Sequence, residues 1–301
     1  MPIFHSGLIQ MLHFPNAYFP AVARRQNRLA YARTTRDTDI WQADGRTVER
    51  HPVSSTELDS FPRLSPDGKR IVLASNRSGR QEIWVSSDEG PAPVLLTSLG
   101  GTNNDFPDWS PDGRWIVFCH SGDGHTNIWM IDSGGGTPRR LTDRESCMPS
   151  FSHDGKWIYF ANARAARAEV FRMAFPGGQS VQITRHGGSF PLEAPDGRTL
   201  YYLRNQELYE VPAAGGEERS LGLKVIQNDF TVMSDGIYYI AQTHDNRYRG
   251  GEIRFYDFAR RRERLVQALG DVEFGFGLWK TFLYSAQTGS TNDLMLVENF
   301  R

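Results

Sequence analysis

The sequence predicts an all-β fold built from seven similar units, and two observations lead to this prediction. The segment Asn104 to Trp129 contains an aromatic-Pro pair, a Ser-Pro-Asp-Gly turn, an apolar strand, a polar loop and a second strand, and copies of it recur along the chain. Corresponding positions in the second strands are 38 to 45 residues apart. Strand patterns at this period, with no helical pattern between them, are typical of a β-propeller. We therefore predict a seven-bladed β-propeller of four-stranded antiparallel blades.

The turn is the clearest part of each copy. It occurs at residues 65–68, 110–113, 152–155 and 194–197, and in a shorter form at 234–236. Proline fixes its own φ, aspartate bonds nearby backbone and glycine accepts a positive φ, so the turn joins two strands of a hairpin. Because the aspartates recur in the same turn, we expect them to be architectural rather than catalytic.

The strand after each turn is apolar on both faces instead of alternating. This pattern is found at residues 71–73, 115–118, 157–160 and 200–203. A strand of this kind is covered on both sides. In a propeller the neighbouring blades provide the cover.

We expect one domain to span residues 1–301. The predicted repeats are approximately 16–58, 59–102, 103–145, 146–186, 187–225, 226–270 and 271–301. The last repeat is one outer strand short, and residues 7–12 are left over at the other end of the chain. Pairing of Gly7–Leu12 with Asp293–Val297 would close the ring and hide both strand edges.

Composition limits the classes of partner. The 301 residues carry a formal net charge of −1, and no run of apolar residues is long enough to cross a membrane. The short basic stretch 260–264 is interrupted by Glu263 and is expected to be a solvated turn. We predict no nucleic-acid partner, no membrane insertion and a monomeric chain.

Two cysteines, Cys119 and Cys147, are the only ones in the sequence. Their spacing does not match a zinc motif. Free, buried thiols are the expected state, and a disulfide between adjacent blades is the alternative. Cysteine usage therefore leaves the compartment open.

The repeat motif also carries a family resemblance. The Ser-Pro-Asp-Gly-Lys/Arg turn, the apolar strand, the segment Asn76–Gly79 and the strand Glu82–Trp84 resemble TolB-like, WD-repeat-like bacterial propellers, over nearly the whole chain. The resemblance implies an envelope-associated, periplasmic setting. The first fifteen residues do not predict a secretory signal, which favours the cytoplasm instead. Residues 292–300 also resemble the ends of multidomain bacterial regulators, so a sensory or interaction module is an alternative role.

Loops at one end of a propeller commonly bind ligands at the mouth of the channel. The corresponding loops here are rich in arginine and histidine, which suit a carboxylate or phosphate. The alternative is that the arginines bridge blades or solvate the loops. The predicted ligand-binding residues are Arg36, Arg77, Arg80, His120, His125, Arg164, Arg204, Asn228 and Asp229.

No nucleophile elbow, zinc-protease motif or phosphate loop occurs in the sequence. We therefore predict no catalytic residue, no metal site and no cofactor. The leading prediction is a non-catalytic propeller that binds a peptide or protein segment, or a small anion, at the channel mouth. The alternative is a propeller lyase, hydrolase or cyclase that uses His, Asp and Arg there, with a loosely spaced metal set of His120, His125 and Asp123.

Overall fold

The structure is a computed structural model of the chain. It describes residues 17–22, 28–43, 48–53, 57–87, 92–143, 145–162, 167–226, 229–242, 251–268, 276–278 and 282–298. By its internal contacts the chain divides into two compact units, residues 1–37 with 287–301, and residues 38–286. The prediction of a single domain stays a prediction.

Five four-stranded antiparallel sheets, here called blades 1 to 5, lie in the second unit, and in each the strands follow one another in chain order. Blade 1 contains β4 (Asp59–Leu64), β5 (Arg70–Ser75), β6 (Glu82–Ser87) and β7 (Val94–Leu95). Blade 2 contains β8 (Asn103–Trp109), β9 (Trp115–Gly122), β10 (His125–Asp132) and β11 (Arg139–Arg140). Blade 3 contains β12 (Ser146–Phe151), β13 (Trp157–Asn162), β14 (Glu169–Ala174) and β15 (Val181–Gln182).

Blade 4 contains β16 (Ser189–Glu193), β17 (Thr199–Arg204), β18 (Glu207–Pro212) and β19 (Arg219–Lys224). Blade 5 contains β20 (Phe230–Val232), β21 (Gly236–Gln242), β22 (Gly251–Asp257) and β23 (Arg262–Ala268). A further sheet has five strands: β1 (Ala17–Val22), β2 (Arg28–Ala43), β3 (Val48–Val53), β24 (Phe276–Leu278) and β25 (Phe282–Glu298). Its order is β1-β2-β25-β24, and β3 pairs with β2. Within the described ranges, no helix has the length and apolar character needed to cross a membrane.

The prediction of seven four-stranded blades is wrong, because the described residues form five. Each terminal repeat was expected to supply a hairpin, but β2 is one strand of 16 residues and β25 is one strand of 17. In both repeats the missing reversal is the one expected between the second and third strands. The position of the Ser-Pro-Asp-Gly turn lies between β1 and β2 and between β24 and β25, which still form antiparallel pairs although that turn is absent. Residues 7–12, the predicted closing strand, lie outside the described residues, and the structure does not support closure of a ring.

The turn aspartates have the predicted architectural role. The Ser110 hydroxyl and the Arg114 N–H both donate to Asp112 Oδ1, the latter at 3.0 Å. Gly113 adopts φ +70° and its N–H donates to the Ser110 carbonyl. The bonds from Ser110 and Arg114 hold the pKa of Asp112 below its usual value. Equivalent bonds form in the turns of blades 1 and 3.

The core lies between the blades, as predicted for strands that are apolar on both faces. In β9, Ile116 and Phe118 belong to a cluster shared with blade 1, whereas Val117 belongs to one shared with blade 3. All three side chains are fully buried. Burial of one such side chain contributes about 1.5–3 kcal/mol, so each blade stabilises both of its neighbours.

The two cysteines form a disulfide. Cys119 of β9 is bonded to Cys147 of β12, with their Cα atoms 5.2 Å apart. The expectation of free thiols is therefore wrong, and the alternative of a bond between adjacent blades is correct. The sequence hid this pairing because the two residues are 28 positions apart and meet only when blades 2 and 3 pack together.

Candidate functional site

The first strands of four blades have the same irregularity at a residue-Pro pair. The pairs are Phe61-Pro62, Phe106-Pro107, Met148-Pro149 and Phe190-Pro191. The strand register shifts at each pair, which marks a β-bulge. The residue before each proline has a left-handed φ between 50° and 57°. This conformation costs a non-glycine residue about 1–3 kcal/mol and is typical of ligand sites. A β-bulge also changes the direction in which a side chain points.

These four side chains and Phe230 line one cavity, here called the entry cavity. The Phe61 and Phe106 ring centroids are 4.2 Å apart, and those of Phe106 and Phe190 are 5.5 Å apart. The space between the lining residues is about 430 Å³ when the open solvent in front of them is included, and the enclosed part of it is much smaller. The entry cavity is therefore a recess with an apolar wall against which an apolar side chain can pack.

A few polar groups interrupt this apolar wall. Asp108 accepts a hydrogen bond from the Phe151 N–H at 2.9 Å. Burial raises the pKa of Asp108 to about 6, although nearby Arg63 and backbone N–H groups oppose the shift. The Ser150 hydroxyl donates to the Pro191 carbonyl at 2.6 Å, so it is held by backbone and is not activated as a nucleophile. The lining is suited to binding, and Asp108 is a group in it that titrates near neutral pH.

Two of the predicted arginines pair with carboxylates of their own blades. Arg77 Nη2 lies 2.8 and 2.7 Å from the two oxygens of the buried Asp59. Arg204 forms an ion pair with Glu218 and lies over the Tyr209 ring, 4.1 Å from its centroid. These guanidinium charges are balanced locally, so the structure adds no support for a shared anion site.

The other predicted residues are placed as follows. Arg80 is exposed after β5, and Asp229 is buried just before β20. Arg36 falls within β2, and its side chain is not among those described. Arg164 and Asn228 lie outside the described residues. The anion site at these loops stays a prediction.

The two predicted histidines have different surroundings. His120 is buried, and its Nδ1 lies 2.8 Å from Asn104 Oδ1. Burial lowers the pKa of His120. His125 is exposed, and its Nδ1 lies 3.2 Å from Glu145 Oε1. Each histidine therefore has its own partner in the described part of the chain.

Sequence reasoning missed the wall of the entry cavity. The repeated Phe-Pro and Met-Pro pairs were visible in the alignment of the copies, but only as the entries to the blades. The direction of their side chains depends on the left-handed backbone and the bulge, which the sequence does not show. The available signal was the recurrence of a large apolar residue at one position in five consecutive repeats.

Successive antiparallel blades, packed through strands buried on both faces, define a β-propeller. The sequence model of the family described as TolB beta propeller domain matches residues 16–142 and 96–247. The chain therefore belongs to the TolB β-propeller family. A comparison by sequence with curated proteins finds no match.

Solved structures have the same fold. A TolB-type protein from Agrobacterium tumefaciens is 20% identical with a TM-score of 0.71, and the alignment covers 85% of this chain and 99% of that one. TolB from Acinetobacter baumannii is 18% identical with a TM-score of 0.63, covering 80% of this chain and 64% of that one. An oligogalacturonate lyase in complex with manganese is 10% identical with a TM-score of 0.51, covering 87% and 75%. At these identities the likeness shows the fold alone, and the fold is shared by binding proteins and enzymes.

Proposed function

We propose that this protein is a non-catalytic binding propeller that holds a peptide or protein segment, with an apolar side chain of the segment in the entry cavity. The observation that carries the proposal is the repeated left-handed bulge, which places Phe61, Phe106, Met148 and Phe190 around one space. Family membership supports the binding role, since TolB proteins are among the structures with this fold.

The physical basis is burial of apolar surface. Phe61, Phe106, Met148 and Phe190 are half-buried and retain area that a partner can cover. A large apolar side chain that becomes fully buried contributes about 1.5–3 kcal/mol. Asp108 and the backbone of the bulges offer hydrogen-bonding groups beside it, which would orient the main chain of the segment.

The test is selection of peptides from a random library on the full chain, followed by measurement of Kd for the selected peptides. The decisive variant is Phe106→Asn, because asparagine tolerates the left-handed backbone but removes the apolar wall. We expect this variant to weaken binding at least about tenfold, equivalent to about 1.4 kcal/mol.

The matched control is Val181→Asn on β15, where an apolar side chain is 50% exposed and does not line the entry cavity. It should bind the selected peptides as the parent does. Failure to select any peptide, or equal Kd values for the parent and Phe106→Asn, would contradict the proposal.

Inorganic phosphate distinguishes the peptide from the small anion of the sequence prediction. The entry cavity proposal predicts that phosphate does not displace a selected peptide. If phosphate binds and displaces it, and if the competition weakens with added salt, the ligand is an anion held by exposed charges. The monomeric state stays a prediction that the same samples test by light scattering.

A further inference from the structure

Three potential metal ligands meet between blades 2 and 3, outside the entry cavity wall. One oxygen of Asp105 and the sulfurs of Cys119 and Cys147 all lie within 4.8 Å of one another. Ligand atoms around one tetrahedral zinc are about 3.3–3.8 Å apart, given bonds of about 2.0–2.3 Å. The three side chains are therefore close enough to share one ion once the sulfurs are no longer bonded to each other.

The repeats show that the architecture does not require these residues. Asp105 pairs with Cys119 across β8 and β9, and the corresponding pair in blade 1 is Ser60 with Ala74. In blade 4 the corresponding pair is Ser189 with Leu203. The Ser60 and Ser189 hydroxyls donate to carbonyls of their own blades, so these blades form without a sulfur or a carboxylate there.

The Asp105 carboxylate lacks a compensating partner within the described residues. In this part of the chain its side chain forms neither a hydrogen bond nor an ion pair, and it is half-buried beside the two sulfurs. A partly buried carboxylate without a partner is disfavoured, and a bound cation compensates for that. In addition, the Met148 N–H donates to Cys119 Sγ at 3.2 Å, which favours negative charge on that sulfur.

We propose that reduction of the disulfide creates a site in which Asp105, Cys119 and Cys147 bind a zinc-type divalent cation. An external dithiol supplies two electrons and two protons, its own sulfurs become a disulfide, and the two cysteines become thiols. Cation binding then releases the thiol protons to solvent. Oxidation returns the two sulfurs to each other and removes two of the three protein ligands.

The donor set fits this class of ion. Two thiolates and one carboxylate provide charge and soft sulfur donors, as zinc sites use, and leave a fourth position for water. Calcium and magnesium prefer oxygen ligands and would not compete well. Asp105 and Cys147 are half-buried, whereas Cys119 is fully buried. The ion would therefore enter the site past Asp105 and Cys147.

The test uses the full chain, reduced in denaturant with a dithiol, refolded without oxygen and compared with the oxidised protein. Thiol titration first verifies two thiols per chain, and zinc is then titrated against a chromogenic chelator. We expect the reduced protein to bind one zinc ion and the oxidised protein to bind none. Asp105→Asn should weaken binding by about tenfold or more.

The matched control is Asp123→Asn, an exposed aspartate in the hairpin loop of blade 2. This variant should bind zinc with the affinity of the parent. If Asp123→Asn instead weakened zinc binding, the ion would lie at the histidines and the proposal would be overturned. Cobalt added to the reduced parent protein should give a thiolate-to-metal absorption band, which requires no variant to fold. Absence of this band, zinc binding equal in both redox states, or parent-like affinity in a folded Asp105→Asn would each overturn it.

Discussion

Asp108 shows how burial sets the behaviour of a single residue. Its carboxyl belongs to the wall of the entry cavity, and burial raises its pKa to about 6. The charged groups around it include Arg63, which lowers the pKa, while the Phe151 N–H donates to the carboxylate. Because the folded protein holds this proton more tightly than the unfolded chain, the contribution to stability is present at low pH and lost on deprotonation.

We therefore predict that the Asp108 contribution to the free energy of unfolding falls as pH rises from about 4 to about 6, by up to about 3 kcal/mol. Asp108→Asn keeps an oxygen for the Phe151 N–H but cannot ionise, so the pH dependence should be smaller. Denaturant unfolding of parent and variant across this range measures the difference. Parallel curves for the two proteins would contradict the assignment.

At this scale the sequence predicts roles that depend on local bonds, and it does not predict roles that depend on distant partners. The aspartate of Ser-Pro-Asp-Gly bonds to residues two positions away, so its role was readable. Arg204 finds Glu218 only because β17, β18 and β19 form one sheet. The sequence therefore shows that the loops carry arginines, but it does not show which carboxylates pair with them.

In each of three blades, a threonine just after the outer strand is hydrogen-bonded to the third strand. Thr184 accepts the Val170 N–H at 2.8 Å and donates to Glu169 Oε2 at 2.7 Å. Thr97 makes the equivalent bonds in blade 1, and Thr142 accepts the Ile128 N–H in blade 2. The recurrence of threonine at this position was present in the sequence, but its function depends on the packing of the outer strand.

Thr184→Val retains the shape of the side chain and removes its hydroxyl. The fully buried site would then leave the Val170 N–H without its acceptor, which we expect to cost about 2–3 kcal/mol. Thr184→Ser keeps the hydroxyl, so it should lose at most about 1 kcal/mol. Chemical denaturation of both variants measures these values, and equal losses would show that the methyl group matters rather than the hydrogen bonds.

The elements of the central repeats were predictable because each copy contains its own turn. The turns at residues 65–68 and 110–113 mark where the chain reverses, and strands begin within two residues after each. In the terminal repeats, β2 and β25 continue as single long strands where a separate second and third strand were expected. The error in blade number thus comes from the two repeats with the weakest local signal.

Across the molecule, neighbouring blades are joined mainly by apolar packing, and blades 2 and 3 are also joined by the Cys119–Cys147 disulfide. The two cysteines are 28 positions apart in the sequence, so the disulfide closes a loop of that length. A link of this span restricts the unfolded chain and stabilises the fold by about 2–4 kcal/mol. Its effect should therefore extend to the stability of both blades.

We predict that reduction in the presence of a metal chelator lowers the free energy of unfolding by about this amount, 2–4 kcal/mol. The double variant Cys119→Ala with Cys147→Ala should match the reduced parent, since alanine occupies the equivalents of Cys119 in blades 1 and 3. Denaturant unfolding in each state provides the comparison. Equal stability of oxidised and reduced protein would mean that packing alone joins the two blades.

The wall of the entry cavity has a modular origin. Five of its large apolar residues, Phe61, Phe106, Met148, Phe190 and Phe230, come from five different blades, at intervals of 40 to 45 residues in the chain. A single substitution therefore changes one sector of the cavity and leaves the strands that carry the other sectors intact. The side chains at the five positions can therefore be substituted independently of one another. Different combinations would give cavities of different shape, and so different ligand preferences, on one scaffold.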